Sequence, residues 1–372
     1  MEILTMGVEE EFVLVDLATR APVNRAPQVI RRAVRSLGDQ VQTEFFNAQI
    51  EVCTRATASR ADLRDELSRL RTEVGAAARE AHCVPVACGT PVLPPEEPLT
   101  VTDTERYRLM ARHFASLVTR EDGAAREDGL VCGCHVHIGT FDRPRALELA
   151  QHMRPWLPVL QALAGNSPYA RRHDTGFQSW RAVEHARWPT VGPTPVLDEA
   201  RYLALVARLI RDGTLLDRRM VYWHARPSEH VPTLEIRVAD TNADLDTVVL
   251  VAILARALAA TLLGRVDAVA PPPRVPQAHL LRAHRLAAVH GLTGAGLDPI
   301  DGHRRPAAEL VDALMALARP GLDLTGDTAW AHEQWRRVRV DGGGAARQRA
   351  VFRRHGRFSA VVDSLAAATM RT

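Results

Sequence analysis

Four short segments of this 372-residue sequence alternate apolar residues with polar or charged ones at a period of two, the spacing of a β-strand with two unlike faces. In GVEEEFV, Glu9 and Glu11 share one face, while Val8, Glu10 and Phe12 share the other. In QIEVC, Glu51 lies with Gln49 and Cys53, opposite Ile50 and Val52. In CGCHVHIG, Gly133, His135, His137 and Gly139 fall on one face, with Cys132, Cys134, Val136 and Ile138 on the other. In TLEIRVAD, Glu235 and Arg237 join Thr233, and Leu234, Ile236 and Val238 form a continuous apolar face. One such strand would describe a sheet with one side in water. Four of them, each setting acids, imidazoles or a guanidinium against an apolar face, predict a sheet whose second side lines a charged cleft.

Period-two stretches at 3–16, 41–54, 84–90, 130–140 and 233–240 predict five strands, with a sixth at 219–227. Helical patterns run between them over 26–37, 58–82, 103–118 and 143–165, with Ser59 and Asp62 marking the start of the second. Pro-rich runs near 91, 189 and 271 read as loops, because periodic segments continue on both sides. Beyond Pro276 the chain is helical, rich in Ala and Arg, and broken by GGG at 342–344; no internal repeat is present. Strands separated by helices of varied length favour an α+β sheet with helices packed on one face.

All 47 residues of the Lys+Arg count are Arg. Without Lys there is no Walker phosphate loop, no Schiff-base lysine and no kinase-type strand lysine, so any phosphate chemistry must rest on Arg and metal ions. The 44 acids nearly balance the arginines, and no basic run is interleaved with aromatics, which argues against nucleic acid as a partner. No apolar run reaches the roughly 18 residues of a bilayer span, and the N-terminus opens with acids, so the expectation is a cytoplasmic chain with no membrane partner. Five cysteines, an odd number, fit reduced thiols.

The cleft chemistry follows from ligand type. A zinc site built on C-x-C-H-x-H fails on a strand, because thiols and imidazoles point to opposite faces. Carboxylates with at most a few imidazoles suit Mg²⁺ or Mn²⁺. Arg237, two residues beyond Glu235 on the same face, sets a permanent cation beside such a site, as holding phosphoryl oxygens requires. Nucleotide-dependent phosphoryl transfer is the natural reaction class. Taken alone, GVEEEFV also suits a solvated acidic edge strand, and two histidines at this spacing also suit a stacked structural pair.

The motifs GVEEEF at 7–12, NAQIEV at 47–52, CGCHVHIG at 132–139, NSPY with DTGF near 166–177, RWPT at 187–190, YWHARPSEHVPTLEIRVAD at 222–240 and GGGAARQR at 342–349 together resemble the glutamate–cysteine ligase type 2 family, the carboxylate-amine ligases. The resemblance implies one catalytic domain over 1–372, with a curved, mainly antiparallel sheet forming a funnel, helices outside, and an architecture like that of glutamine synthetase. It implies an ATP-dependent ligase in which ATP and an amino acid meet over Mg²⁺ or Mn²⁺, an acyl phosphate forms, and an amine displaces phosphate. Glutamate is the default acyl donor and cysteine the default amine. By the same resemblance Glu9, Glu11, Glu51 and Glu235 are metal ligands, His135 is a ligand or phosphate contact, and Arg237 is the phosphate-stabilising cation. His137 and Arg347 are placed at the nucleotide, and Arg171 or Arg172 at the amino-acid carboxylate or a phosphate. Cys134 departs from relatives that carry a larger apolar residue, commonly Met. Trp188, Tyr222 and Trp223 fit either an acceptor pocket or the core. A homodimer stays open. The rival reading is a metal-dependent hydrolase that uses the same carboxylates to activate water without nucleotide.

Overall fold

The computed structural model describes residues 2–118 and 129–371. Its strands are β1 (Thr5–Asp16), β2 (Val41–Thr43), β3 (Gln49–Cys53), β4 (Cys83–Val86), β5 (Gly133–Gly139), β6 (Tyr169–Ala170), β7 (His173–Asp174), β8 (Ala225–Pro227), β9 (Thr233–Asp240), β10 (Ala295–Leu297) and β11 (Arg304–Pro306), the last two a hairpin that interrupts the tail expected to be helical. A seven-stranded sheet runs β2-β3-β1-β5-β9-β8, with β4 also pairing β1, and every one of its pairings is antiparallel. It is an open sheet, not a closed barrel, and β6 with β7 forms a separate hairpin.

Register brings the polar faces together. Glu9 pairs with His135 and Gly7 with His137 across β1 and β5. Glu11 faces Glu51 across β1 and β3, and His137 faces Glu235 across β5 and β9. The opposite faces bury Val8, Val136, Ile138, Leu234 and Ile236 in one cluster with the helix Leu245–Asp267. Cys134, 2 % exposed, lies on this core side, as strand parity predicts. Cys134→Ser is therefore expected to lower the melting temperature, by a cost of about 1–3 kcal/mol for a buried hydroxyl, and to leave turnover unchanged. Thermal melts and initial rates measured on one preparation check this.

Three departures from the sequence pattern have local causes. The stretch 41–54 splits into β2 and β3, because Phe45 and Phe46 turn inward while Asn47 bonds Thr100 through both its backbone and its side chain. The stretch 219–227 shrinks to β8, since Arg218–Met220 forms a 3₁₀ turn. The pattern over 143–165 breaks into Arg143–Met153 and Leu157–Ala164 around Pro155, whose missing N–H cannot continue the ladder. The helix Arg60–Glu80 begins as predicted, with Ser59 Oγ accepting the Asp62 N–H at 3.2 Å.

The expectation that no segment could span a bilayer needs correcting. Leu245–Asp267 has 23 residues and is apolar enough to cross one by length and composition, yet 89 % of its apolar window is buried inside the protein. It is apolar all round because neighbours cover it all round. Its central Arg256 is neutralised by Asp327 at 2.6 Å.

Candidate active site

The polar faces of β1, β3, β5 and β9 line a cavity of about 630 Å³. Glu9, Glu11, Glu51, Glu235, His135, His137 and Arg237 all reach it. Glu9 sits at the centre: Oε2 lies 3.0 Å from His135 Nδ1 and Oε1 3.0 Å from His137 Nε2. Glu11 is 3.7 Å from His135 Nε2 and is held in place by the Gly133 N–H at 2.7 Å. Glu235 is gripped from both sides. Arg226 forks onto its two oxygens at 2.8 and 3.2 Å, and Arg237 bonds Oε1.

The carboxylates are too crowded for all to be ionised without counter-charge. Burial pushes the Glu44 carboxyl up to about 8, with the Glu11 charge adding to the shift. Glu51 is driven well above the ordinary carboxylate range by burial and then by Glu9, Glu44 and Glu11. Burial also opposes ionisation of Glu9 and Glu235, but there cations prevail. Hydrogen bonds from His135 and His137 hold Glu9 low, and Arg226 with Arg237 holds Glu235 low. Burial followed by the Arg237 charge lowers His135, whereas for His137 burial is overcome by the Glu9 hydrogen bond and the Glu235 and Glu9 charges acting together, which raise it.

This donor set fits hard divalent cations. Three overlapping groups each bring ligand atoms within 4.8 Å of one another: Glu9, Glu51 and His135; Glu9, His137 and Glu235; Glu11, Glu44 and Glu51. His135 Nε2 is buried without a hydrogen-bond partner, which suits an imidazole nitrogen left as a ligand. The two guanidiniums on Glu235 compete with a cation there, so Glu9, Glu11, Glu44 and Glu51 are the stronger part of the set. None of the three groups contains a thiol. Cys132 and Cys134 are buried and held well above the ordinary thiol range, first of all by burial.

Other expected residues lie elsewhere. Arg171 and Arg172 form the exposed turn of the β6–β7 hairpin and do not line this cavity. Arg347 lies apart as well, bonded to Gly342 O at 2.7 Å and Asn242 Oδ1 at 3.3 Å, and 3.6 Å from Asp244. Trp223 packs on Tyr202 in the core, whereas Trp188 and Tyr222 line the cavity beside Phe45 and Tyr107. The sequence pattern did not single out Glu44, Arg181 or Arg226 among the lining residues. Arg226 had a signal in the short return from β8 to β9, which puts it opposite Glu235. Glu44 lies where the strand pattern is interrupted and Arg181 on the helix Trp180–His185, so neither has a strand face to read.

Comparison with known proteins agrees with this geometry. Residues 5–364 match the model of Glutamate-cysteine ligase family 2 (GCS2). A protein of Salinispora tropica named "Putative glutamate--cysteine ligase 2" is 44 % identical over 99 % of this chain and 96 % of its own length. One of the same name, numbered 2-2, from Mycobacterium sp. (strain KMS) is 39 % identical over 98 % of each chain. Among solved structures, a glutamate–cysteine ligase from Francisella tularensis in complex with AMP superposes with a TM-score of 0.71 at 12 % identity, covering 100 % of this chain and 90 % of that one. A bifunctional glutathione synthetase from Pasteurella multocida gives 0.69 at 14 %, covering 99 % and 52 %. These likenesses show a glutamine-synthetase-like ligase fold. The chain belongs to glutamate–cysteine ligase family 2, and it is an ATP-dependent ligase that forms carbon–nitrogen bonds.

Proposed function

We propose that this single catalytic domain activates a carboxylate substrate as an acyl phosphate and transfers the acyl group to an amine, with glutamate as the default donor. The observation that carries this reading is the meeting, in one cavity, of a carboxylate cluster fit for Mg²⁺ or Mn²⁺ with a guanidinium, Arg237, bound to one of its members. A carboxylate oxygen of the donor attacks the γ-phosphorus of ATP, the bond to the β-phosphate oxygen breaks, and ADP leaves with the electron pair. The amine nitrogen then attacks the acyl carbon, the carbon–oxygen bond to phosphate breaks, and one proton leaves the nitrogen. Bound Mg²⁺ or Mn²⁺ would neutralise phosphate and carboxylate charge so that two anions can approach. The protein's own part is positional. Arg226 fixes Glu235, Glu235 orients Arg237, and Arg237 presents a planar cation to the phosphoryl oxygens. A cytoplasmic location, where ATP is supplied and five free cysteines stay reduced, suits this role.

Hydroxylamine tests the intermediate. Supplied as the amine with ATP, Mg²⁺ and glutamate, it is expected to give a hydroxamate together with ADP and phosphate. ADP formed from ATP without hydroxamate would count against an acyl phosphate.

The cluster also predicts a pH dependence. The folded Glu44 titrates at about 8 against 4.5 for the ordinary group. Between these values the unfolded chain has lost a proton that the folded protein keeps, so stability falls as pH rises through that window. A divalent cation bound by Glu11, Glu44 and Glu51 would supply the positive charge in the proton's place. Saturating Mg-ATP should therefore raise the melting temperature, and by more at pH 8 than at pH 6. A melting temperature unmoved by Mg-ATP at both values would contradict the metal assignment.

A further inference from the structure

Five arginines are buried among the described residues: Arg71, Arg154, Arg181, Arg226 and Arg256. In four of them the terminal guanidinium nitrogens meet a carboxylate or several acceptors, although Nε of Arg154 and of Arg256 has no partner. Arg71 binds Glu10, Arg226 binds Glu235 and Arg256 binds Asp327. Arg154 donates to Thr194 O at 3.0 Å, Val275 O at 3.1 Å and Gln277 Oε1 at 3.3 Å. Arg181, 3 % exposed, does not follow suit. It lines the cavity, reaches only the Arg237 carbonyl oxygen at 3.4 and 3.5 Å, leaves Nε without a partner, and has no carboxylate at ion-pair distance among the described residues. Burying a cation this way is unfavourable unless something else supplies the negative charge.

The backbone under Arg181 is held firmly. Its N–H bonds Ser167 Oγ at 3.0 Å, and Ser167 and Ser179 both donate to the buried Asp240, at 2.6 and 2.7 Å. On β5 the chain makes room for it. A Cβ on Gly133 would lie 2.3 Å from an Arg181 terminal nitrogen and 2.9 Å from His135 Nε2, so glycine there lets guanidinium and imidazole close on the same point. His135 Nε2 and Arg237 Nε are likewise buried without partners. Three unsatisfied buried nitrogens, on two strands and one helix, thus face the cavity.

We infer that Arg181 is a catalytic residue that, with Arg237, holds the oxygens of the phosphoryl group during its transfer. The inference rests on the ligase reading above. Its place between His135 and Arg237 favours phosphoryl oxygens over the amino-acid carboxylate, because both neighbours belong to the metal and phosphate end of the cavity.

The test uses the full chain with Arg181→Ala and Arg181→Lys. Turnover and KM are measured for ATP and the amino acid, and Mg-ADP binding is titrated with and without aluminium fluoride, a mimic of the transferring phosphoryl group. In Arg181→Ala, turnover should fall by roughly 10² to 10³, as on losing a preorganised donor, with both KM values little changed. Mg-ADP should still bind, but aluminium fluoride should no longer tighten it, and added guanidinium ion should restore part of the turnover. If the alanine variant fails to fold, Arg181→Lys carries the same comparison. A large rise in the amino-acid KM with the aluminium fluoride response intact would make Arg181 a carboxylate contact and overturn the assignment. Wild-type turnover and tightening in both variants would also overturn it. Absence of ATP-dependent ADP release and of fluoride tightening in the wild type would instead overturn the ligase reading itself.

Discussion

Arg237→Lys is expected to slow ADP release by roughly 10² to 10³, while nucleotide affinity changes far less. The guanidinium bonds Glu235, approaches His135 Nδ1 at 3.4 Å and lies over the Tyr222 ring at 5.7 Å. Burial works against its charge, but Glu235, Glu11 and Glu9 more than compensate, so it stays protonated through the reaction. Lysine would keep the charge but lose the planar fork that binds the glutamate and still offers donors to a phosphoryl group. An ammonium drawn onto Glu235 alone cannot do both. ADP release and nucleotide binding measured side by side check this, and near-normal release would mean that the decisive cation lies elsewhere.

His135→Ala is expected to have the other large effect, turnover reduced to background with the protein still folded. His135 is 3.0 Å from Glu9, 3.7 Å from Glu11 and 4.0 Å from Glu235, so it touches three of the carboxylates that make the site. Its removal takes away the nitrogen proposed as a metal ligand and the hydrogen bond that helps keep Glu9 ionised. The strand itself is held by backbone pairing to β1 and β9 and by Cys134, Val136 and Ile138 on its core face, none of which the change touches. Circular dichroism and initial rates on the same preparation separate the two effects. Stoichiometric zinc that disappears on changing Cys132 or Cys134 would contradict the division of this strand into a core face and a reactive face.

The division of the strands into faces was legible because strand parity is local. Glu9, Glu11, Glu51, His135, His137, Glu235 and Arg237 share the cavity because each follows its own strand's alternation and the register joins them. Partnership was not legible. Glu10 points into the core as parity requires, but nothing near it announces that Arg71, sixty-one residues away, meets it at 2.5 and 3.0 Å while also donating to Asn242 O and Ala243 O. Arg181 was invisible for the same reason: its helix of six residues is too short to show a periodic face. The resemblance puts Arg171 or Arg172 at a substrate anion, yet a hairpin turn sends both outward. The long apolar helix shows no amphipathic stripe of the kind that marks a surface helix, because it is buried on nearly all sides.

Under the proposed function the carboxylate cluster serves nucleotide-driven amide formation. The most direct measurement follows ADP and phosphate release with Mg-ATP while amino-acid donors and amine acceptors are supplied separately and together. The expected result is stoichiometric ADP and phosphate that require both a carboxylate donor and an amine, with an amide as product. Turnover that needs neither ATP nor an amine would instead identify the cluster as that of a metal-dependent hydrolase.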